Sequence, residues 1–178
     1  MTRYRAVLPG PVTEFTLLGL HTAISIGSQL ARIAARSWGL AGIEDAAEQA
    51  TGHLIARAVE TTGHPDPNPR YADIDPASVA TVGVRVHRRA EALIVDVWDT
   101  DPTPPDPATP DEHLAVVAVL AGRWASYPSP CGGGKVIWAE IAPPGGHPAH
   151  HGAAGHPPQP ARNLMERIFP GDDGDTRG

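Results

Sequence analysis

The sequence has one cysteine, one lysine and no long hydrophobic run, and each of these scarcities excludes a class of protein. With Cys131 alone no intramolecular disulfide can form, so we expect a reducing, cytoplasmic compartment. The apolar runs are shorter than the ~20 residues that a transmembrane helix requires, so we expect no membrane insertion. The start of the chain is interrupted by proline and is too short to form the apolar region of a signal peptide.

Positive charge is also scarce. Lysine and arginine together number 14, against 20 acidic residues, and the formal net charge is −6. Proteins that bind nucleic acid or anionic membranes carry an excess of basic residues on the binding surface. The charge balance therefore predicts that neither nucleic acid nor a membrane is a partner.

Proline and glycine, by contrast, are abundant and clustered. The chain has 20 prolines and 19 glycines, and they concentrate in four stretches: 63–69, 100–110, 128–134 and 143–178. Proline fixes φ and removes a backbone donor, so we expect these stretches to be loops or tails. The clustering predicts an N-terminal segment over 1–11, one ordered domain over 12–142 and a disordered tail over 143–178.

Hydrophobic periodicity predicts three helices between these loops, at about 21–38, 43–62 and 111–123. The first repeats apolar residues at spacings near three and four: Ile24, Ile26, Leu30, Ile33 and Ala34. The second is ended by Gly63, and the third begins with acidic residues that suit a helix N-terminus.

Alternation of apolar and polar residues predicts three strands. Two of them, over 82–87 and 93–98, are joined by the short polar stretch 88–91 as an antiparallel hairpin, and the third covers 135–141. The resulting order is helix, helix, strand, strand, helix, strand. It predicts an α+β two-layer sandwich, with the helices packed on one face of a mixed, mostly antiparallel sheet.

Three stretches in this order carry a resemblance to a known family: 40–45 leading into 53–63, then 95–102, and 113–124 together with 133–141. They resemble the N box and the two glycine boxes of the GHKL-type, or Bergerat, ATP-binding fold. The likeness is to small actinobacterial proteins related to anti-sigma-factor serine kinases. The resemblance implies a histidine-kinase-like ATPase domain over 12–142.

In that family a helix presents an acidic general base and, four residues later, an asparagine that binds Mg²⁺. The resemblance places His53 at the base position and Arg57 at the metal position. Arginine has no acceptor atom and cannot ligate Mg²⁺. The resemblance therefore assigns no catalytic residue in this chain, and it argues against Mg²⁺ as a cofactor.

The nucleotide-contacting positions are changed as well. Asp99 matches the aspartate that accepts a hydrogen bond from the adenine amino group. Asp101 replaces a glycine of the family pattern, and Val136 replaces a threonine. The family's Gly-Arg-Gly-Leu reads Asp-Glu-His-Leu here, and its two added carboxylates would repel a triphosphate. By resemblance the candidates for nucleotide contact are Arg57, Asp99, Asp101, His113, Leu114, Gly134 and Lys135.

Ordinary structural roles compete with these assignments. Asp99 suits a turn at the end of a strand, and Arg57 suits a surface or salt-bridged helix position. His53 is more often a hydrogen-bonded helix residue than a base. For Lys135 we expect a solvated position at the start of its strand.

The tail contains four of the nine histidines: His147, His150, His151 and His156. Imidazole binds zinc, nickel and copper. Without carboxylates, thiols or a fixed helix the sites would be loose, so adventitious metal binding is the expectation. Cys131 has no neighbouring base in the sequence, and we do not expect it to be a nucleophile.

Retention of the scaffold with loss of the ligand-binding residues favours a degenerate, non-enzymatic regulatory protein with weak or no ATP or ADP binding. The resemblance implies a protein partner, either a sigma factor or an anti-anti-sigma protein, and homodimerisation. One alternative is an active ATP-dependent serine kinase or ATPase in which Arg57 and Lys135 replace the metal. Another is a metal-binding protein that uses the histidine-rich tail.

Overall fold

The computed structural model describes residues 10–70, 72, 74–130 and 132–143. The elements, in chain order, are β1 (Val12–Leu18), α1 (Thr22–Ser37), α2 (Glu44–Thr62), β2 (Thr81–Arg89), β3 (Ala92–Asp99), α3 (Glu112–Leu120), β4 (Arg123–Pro128) and β5 (Lys135–Ile141). None of the helices in these ranges combines the length and apolar character needed to cross a bilayer. Cys131 and the four tail histidines lie outside the described residues, as do the predictions made for them.

The five strands form one sheet in the order β1-β2-β3-β5-β4. The α+β class is confirmed, and every pairing between the described strands is antiparallel, without the parallel pairing that a mixed sheet would contain. The predicted hairpin is formed by β2 and β3, and its turn is shorter than expected because Arg89 pairs with Ala92. Ala90 in this turn has a φ of 54°, a left-handed conformation typical of tight hairpins.

Hydrophobic patterning does not predict the two edge strands, β1 and β4. Both are short and place few apolar residues on the core, Phe15 and Leu17 from β1 and Trp124 from β4, so the alternation of a half-buried strand does not stand out. The predicted third helix is too long at its C-terminal end, because Ala121 is already extended, with φ −100° and ψ 141°. Arg123, expected at the end of that helix, begins β4.

The core lies between the helices and one face of the sheet. The sheet contributes alternate residues of its three central strands: Val82, Val84, Val86, Leu93, Val95, Val97, Ile137, Ala139 and Ile141. The helices contribute mostly small residues, including the fully buried Ala31 and Ala47. A side chain at Gly27 would overlap Ile55, so the close packing of α1 on α2 depends on the absence of a Cβ there.

Helix α1 is confirmed, but its larger apolar residues do not all face the core. Ile26 is 48% exposed and Ile33 is 59% exposed, and the partly buried Leu30 lies between them. The spacing i, i+4, i+7 places these three residues, hereafter the α1 stripe, on one face of the helix. The buried face is built from smaller residues such as Ala23 and Ala34, because α1 lies close to α2.

Candidate functional site

The structure divides the eight residues that the resemblance places around a nucleotide into two groups. The helix group lies on α2 and at the start of α3 and consists of His53, Arg57, His113 and Leu114. The sheet group lies where β3 ends and β5 begins and consists of Asp99, Asp101, Gly134 and Lys135. Within each group the polar side chains contact one another or their immediate neighbours.

In the helix group, one face of α2 lies against the first turn of α3. His53 Nδ1 is 3.0 Å from His113 Nδ1, and one of the two rings donates to the other. Arg57 Nε donates to Asp111 Oδ2 over 2.6 Å. Glu60 Oε2 lies 3.0 Å from His113 Nε2. Residues 53, 57 and 60 follow the spacing i, i+4, i+7 and therefore lie on one face of α2. This spacing could have identified Glu60 from the sequence, although the family resemblance gives it no role.

Asp111 contacts both helices, because it pairs with Arg57 of α2 and is the N-cap residue of α3. Its Oδ1 accepts a hydrogen bond from the Leu114 N–H over 3.0 Å, which is the usual N-cap contact. Burial favours a higher pKa for Asp111, but the hydrogen bonds from Leu114 and Arg57 outweigh it and hold the pKa below its ordinary value. The Leu114 side chain is fully buried in the core. Its backbone amide, which the resemblance would direct at a phosphate, therefore already has a carboxylate partner.

The sheet group is organised around the ammonium group of Lys135. Its Nζ donates to Asp99 Oδ1 over 2.8 Å, to Asp101 Oδ2 over 2.8 Å and to the Asp101 carbonyl over 3.0 Å. The side chains of Lys135 and Asp99 are each 2% exposed. The expectation of a solvated Lys135 is therefore wrong, because Lys135 pairs across the sheet with Asp99 and its ammonium group is enclosed by the turn that follows β3.

Burial and pairing act differently on the two aspartates. The hydrogen bond from Lys135 lowers the pKa of Asp101 to about 2. Burial raises the pKa of Asp99 above its ordinary value, and the Lys135 ammonium group opposes this only in part. Asp99 is thus the partner whose charge depends most on the lysine.

The backbone conformation and close packing at position 134 require glycine whether or not a ligand binds. The φ of Gly134 is +88°, and a Cβ at this position would overlap the carbonyl oxygen of Asp99. Its own carbonyl accepts a hydrogen bond from the Ser129 N–H over 3.1 Å. Only glycine allows the start of β5 to approach the end of β3 this closely.

A second polar cluster lies on the sheet face opposite the core, and the alternation pattern indicated only that its members are polar. Arg85 and Asp96 are each 6% exposed. Arg85 Nε is 3.4 Å from Glu14 Oε1, and His87 Nδ1 is 3.6 Å from Asp96 Oδ2. Burial raises the pKa of Asp96 to about 6 and lowers that of His87 to about 4. Charged residues at alternate positions of two central strands were the signal for this cluster, but a sequence does not tell whether they face solvent.

The likeness to the Bergerat fold stays a prediction from the sequence. No protein-family model and no curated protein matches this chain.

Proposed function

We propose that this protein is a regulatory protein on a histidine-kinase-like ATP-binding scaffold, that it is catalytically degenerate, and that it acts by binding another protein. The observation that supports this most directly is the internal pairing of the charged residues that would contact a nucleotide. Asp99 and Asp101 both bind Lys135, and Arg57 binds Asp111.

Asp99, the residue that would bind adenine, already has hydrogen-bond partners within the protein. By resemblance, Asp99 would accept a hydrogen bond from the adenine amino group. Its Oδ1 already accepts from Lys135 Nζ and, over 2.9 Å, from the Asp101 N–H. A base that displaced the lysine would leave a buried charge without its partner, at a cost of about 3–5 kcal/mol.

The phosphate and metal positions fit Mg²⁺–nucleotide no better. Arg57 offers no acceptor to a metal, and its guanidinium already pairs with Asp111. The exposed carboxylates of Glu60 and Glu112 lie beside it and would repel phosphate. This set of residues does not fit the cofactor, so we expect weak or no binding of ATP and ADP and derive no phosphoryl-transfer step.

Calorimetric titration of the full chain with ATP and ADP, with and without Mg²⁺, tests this part. We expect no binding tighter than about 1 mM, equivalent to about −4 kcal/mol, from a protein whose circular dichroism shows it to be folded. Micromolar, Mg²⁺-dependent binding would contradict the proposal and favour an active serine kinase or ATPase. Micromolar binding without Mg²⁺ would contradict it too, and would indicate a nucleotide sensor that uses Asp99 and the basic residues.

The partner class comes from the resemblance, which implies a sigma factor, an anti-anti-sigma protein or a second copy of the chain. The α1 stripe offers such a partner an exposed apolar surface, in which Ile26 and Ile33 are both about half exposed. Fully burying an exposed apolar side chain of this size contributes about 1.5–3 kcal/mol, so these two half-exposed side chains together contribute about 1.5–3 kcal/mol, which is at least about tenfold in affinity.

A panel of sigma factors and anti-anti-sigma proteins from the source genome, titrated against the chain, tests the partner. We expect at least one to bind with micromolar affinity, and the double substitution Ile26→Asp with Ile33→Asp to weaken it at least tenfold. Val119→Asp is the matched control, since Val119 is 85% exposed but lies on α3. Absence of binding by every panel member, together with a monomeric chain in sedimentation equilibrium, would refute the partner proposal.

A further inference from the structure

Three metal-ligating side chains converge where α2 meets the start of α3. They are Glu60, Glu112 and His113, and one ligand atom from each lies within 4.8 Å of the others. Zinc bonds to nitrogen and oxygen are about 2.0–2.2 Å long, which places tetrahedral ligand atoms a little over 3 Å apart. Glu60 and Glu112 are exposed, so small rotations of their side chains suffice to close the set around one ion.

The ring nitrogen of His113 that faces this set lacks a satisfactory partner. Nε2 is buried and makes no hydrogen bond of good geometry, although Glu60 Oε2 is only 3.0 Å away. A proton on Nε2 would make no hydrogen bond of good geometry with Glu60. Without that proton, Nε2 and the carboxylate oxygen are both acceptors, and a cation between them would relieve their repulsion. A metal ion bound by both atoms would satisfy both.

His53 orients His113 for this role. Metal-binding histidines usually donate their second ring N–H to an acceptor that fixes the tautomer. His53 Nδ1, 3.0 Å from His113 Nδ1, is such an acceptor when it is neutral. With the His113 proton on Nδ1, Nε2 is free to bind a metal.

The local charge also favours a cation. Glu60, Glu112 and Asp111 contribute three negative charges, and Arg57, paired with Asp111, contributes one positive charge. The positive end of the α3 dipole opposes a cation, but its effect is about half a unit charge and two carboxylates outweigh it. The imidazole in the set selects a transition metal over Mg²⁺ or Ca²⁺, which prefer oxygen ligands alone.

We propose that Glu60, Glu112 and His113 bind a divalent transition-metal ion such as Zn²⁺, that His53 positions His113, and that water completes the coordination. The site uses none of the histidines of the tail sequence and does not depend on the proposed regulatory function. A bound ion would link α2, through Glu60, to the first turn of α3, through Glu112 and His113.

Cobalt titration of the full chain tests the site, because Co²⁺ occupies zinc sites and its visible absorption reports the ligands. The tail histidines are first replaced by asparagine to remove competing ligands: His147, His150, His151 and His156. In this parent we expect one equivalent of Co²⁺ to bind with micromolar affinity and Zn²⁺ to displace it. His113→Gln should weaken binding at least 100-fold, and Glu112→Gln at least tenfold.

Two further variants distinguish specific metal binding at this site from a general effect of histidine substitution on the fold. His53→Gln should weaken binding about 10–100-fold, as loss of an orienting partner does. His21→Gln, an exposed histidine at the start of α1, should leave binding unchanged. If His113→Gln unfolds, the exposed Glu112 still provides the test. Absence of binding at 1 mM Co²⁺ by the parent, or equal binding by the parent and Glu112→Gln, would overturn the proposal.

Discussion

Replacing Lys135 by methionine is expected to lower the free energy of unfolding by about 3–5 kcal/mol, the usual effect of removing one partner of a buried ion pair. The methionine side chain fills a similar volume but leaves Asp99, which is 1% exposed, without a cation. Asp101 also loses its ammonium donor, at less cost because it is only partly buried. Urea denaturation at pH 7, followed by circular dichroism, measures the change.

A second substitution and a change of pH show whether the uncompensated charge is responsible. Adding Asp99→Asn to Lys135→Met removes the buried charge and should restore a large part of the lost stability. Burial raises the pKa of Asp99 above its unfolded value, so the folded variant binds a proton more readily than the unfolded chain. The deficit of Lys135→Met should therefore shrink as the pH falls from 7 towards 5. A deficit below about 1 kcal/mol, or one independent of pH, would contradict this account.

The same experiment bears on nucleotide binding. An adenine amino group that took the place of Lys135 on Asp99 Oδ1 would produce the charge imbalance that Lys135→Met creates. A large deficit in that variant would give the physical reason for weak ATP affinity. A small deficit together with tight ATP binding would support the active kinase instead.

Replacing Gly134 by alanine is the other change for which we expect a large effect, a loss of about 3 kcal/mol in unfolding free energy. The positive φ alone costs a non-glycine residue about 1–2 kcal/mol. The Cβ would also overlap the Asp99 carbonyl oxygen, and forcing a group into an occupied space costs typically about 1–3 kcal/mol. Thermal and urea denaturation of the variant provide the measurement.

Gly133→Ala is the matched control for this substitution. Gly133 has a φ of +66° but nothing within 4 Å of a Cβ added there. Its replacement should therefore show the backbone cost alone, about 1–2 kcal/mol. Equal losses in the two variants would show that the close approach of β5 to Asp99 contributes nothing, and the structural explanation of Gly134 would fail.

Much of the fold could be predicted from the sequence because it depends on local patterns. The periodicity of α1 and α2, the alternation in β2 and β3 and the short link between them are properties of neighbouring residues, and all four elements lie close to their predicted positions. The edge strands β1 and β4 were not predicted, because each places only one or two large apolar residues against the core, too few to form a recognisable alternation. The end of α3 was misplaced because its apolar residues continue into β4 without a break by proline.

The chemical groups of the candidate site can be read from the sequence, among them those of His53, Arg57, Asp99 and Lys135. How these groups pair depends on the packing of the folded chain. The Lys135–Asp99 contact joins residues 36 positions apart, and the His53–His113 contact joins residues 60 apart. Pattern does not reveal such pairings, because the packing of whole elements sets which side chains meet and whether water reaches them. The same packing buries Lys135, which any local expectation places in solvent.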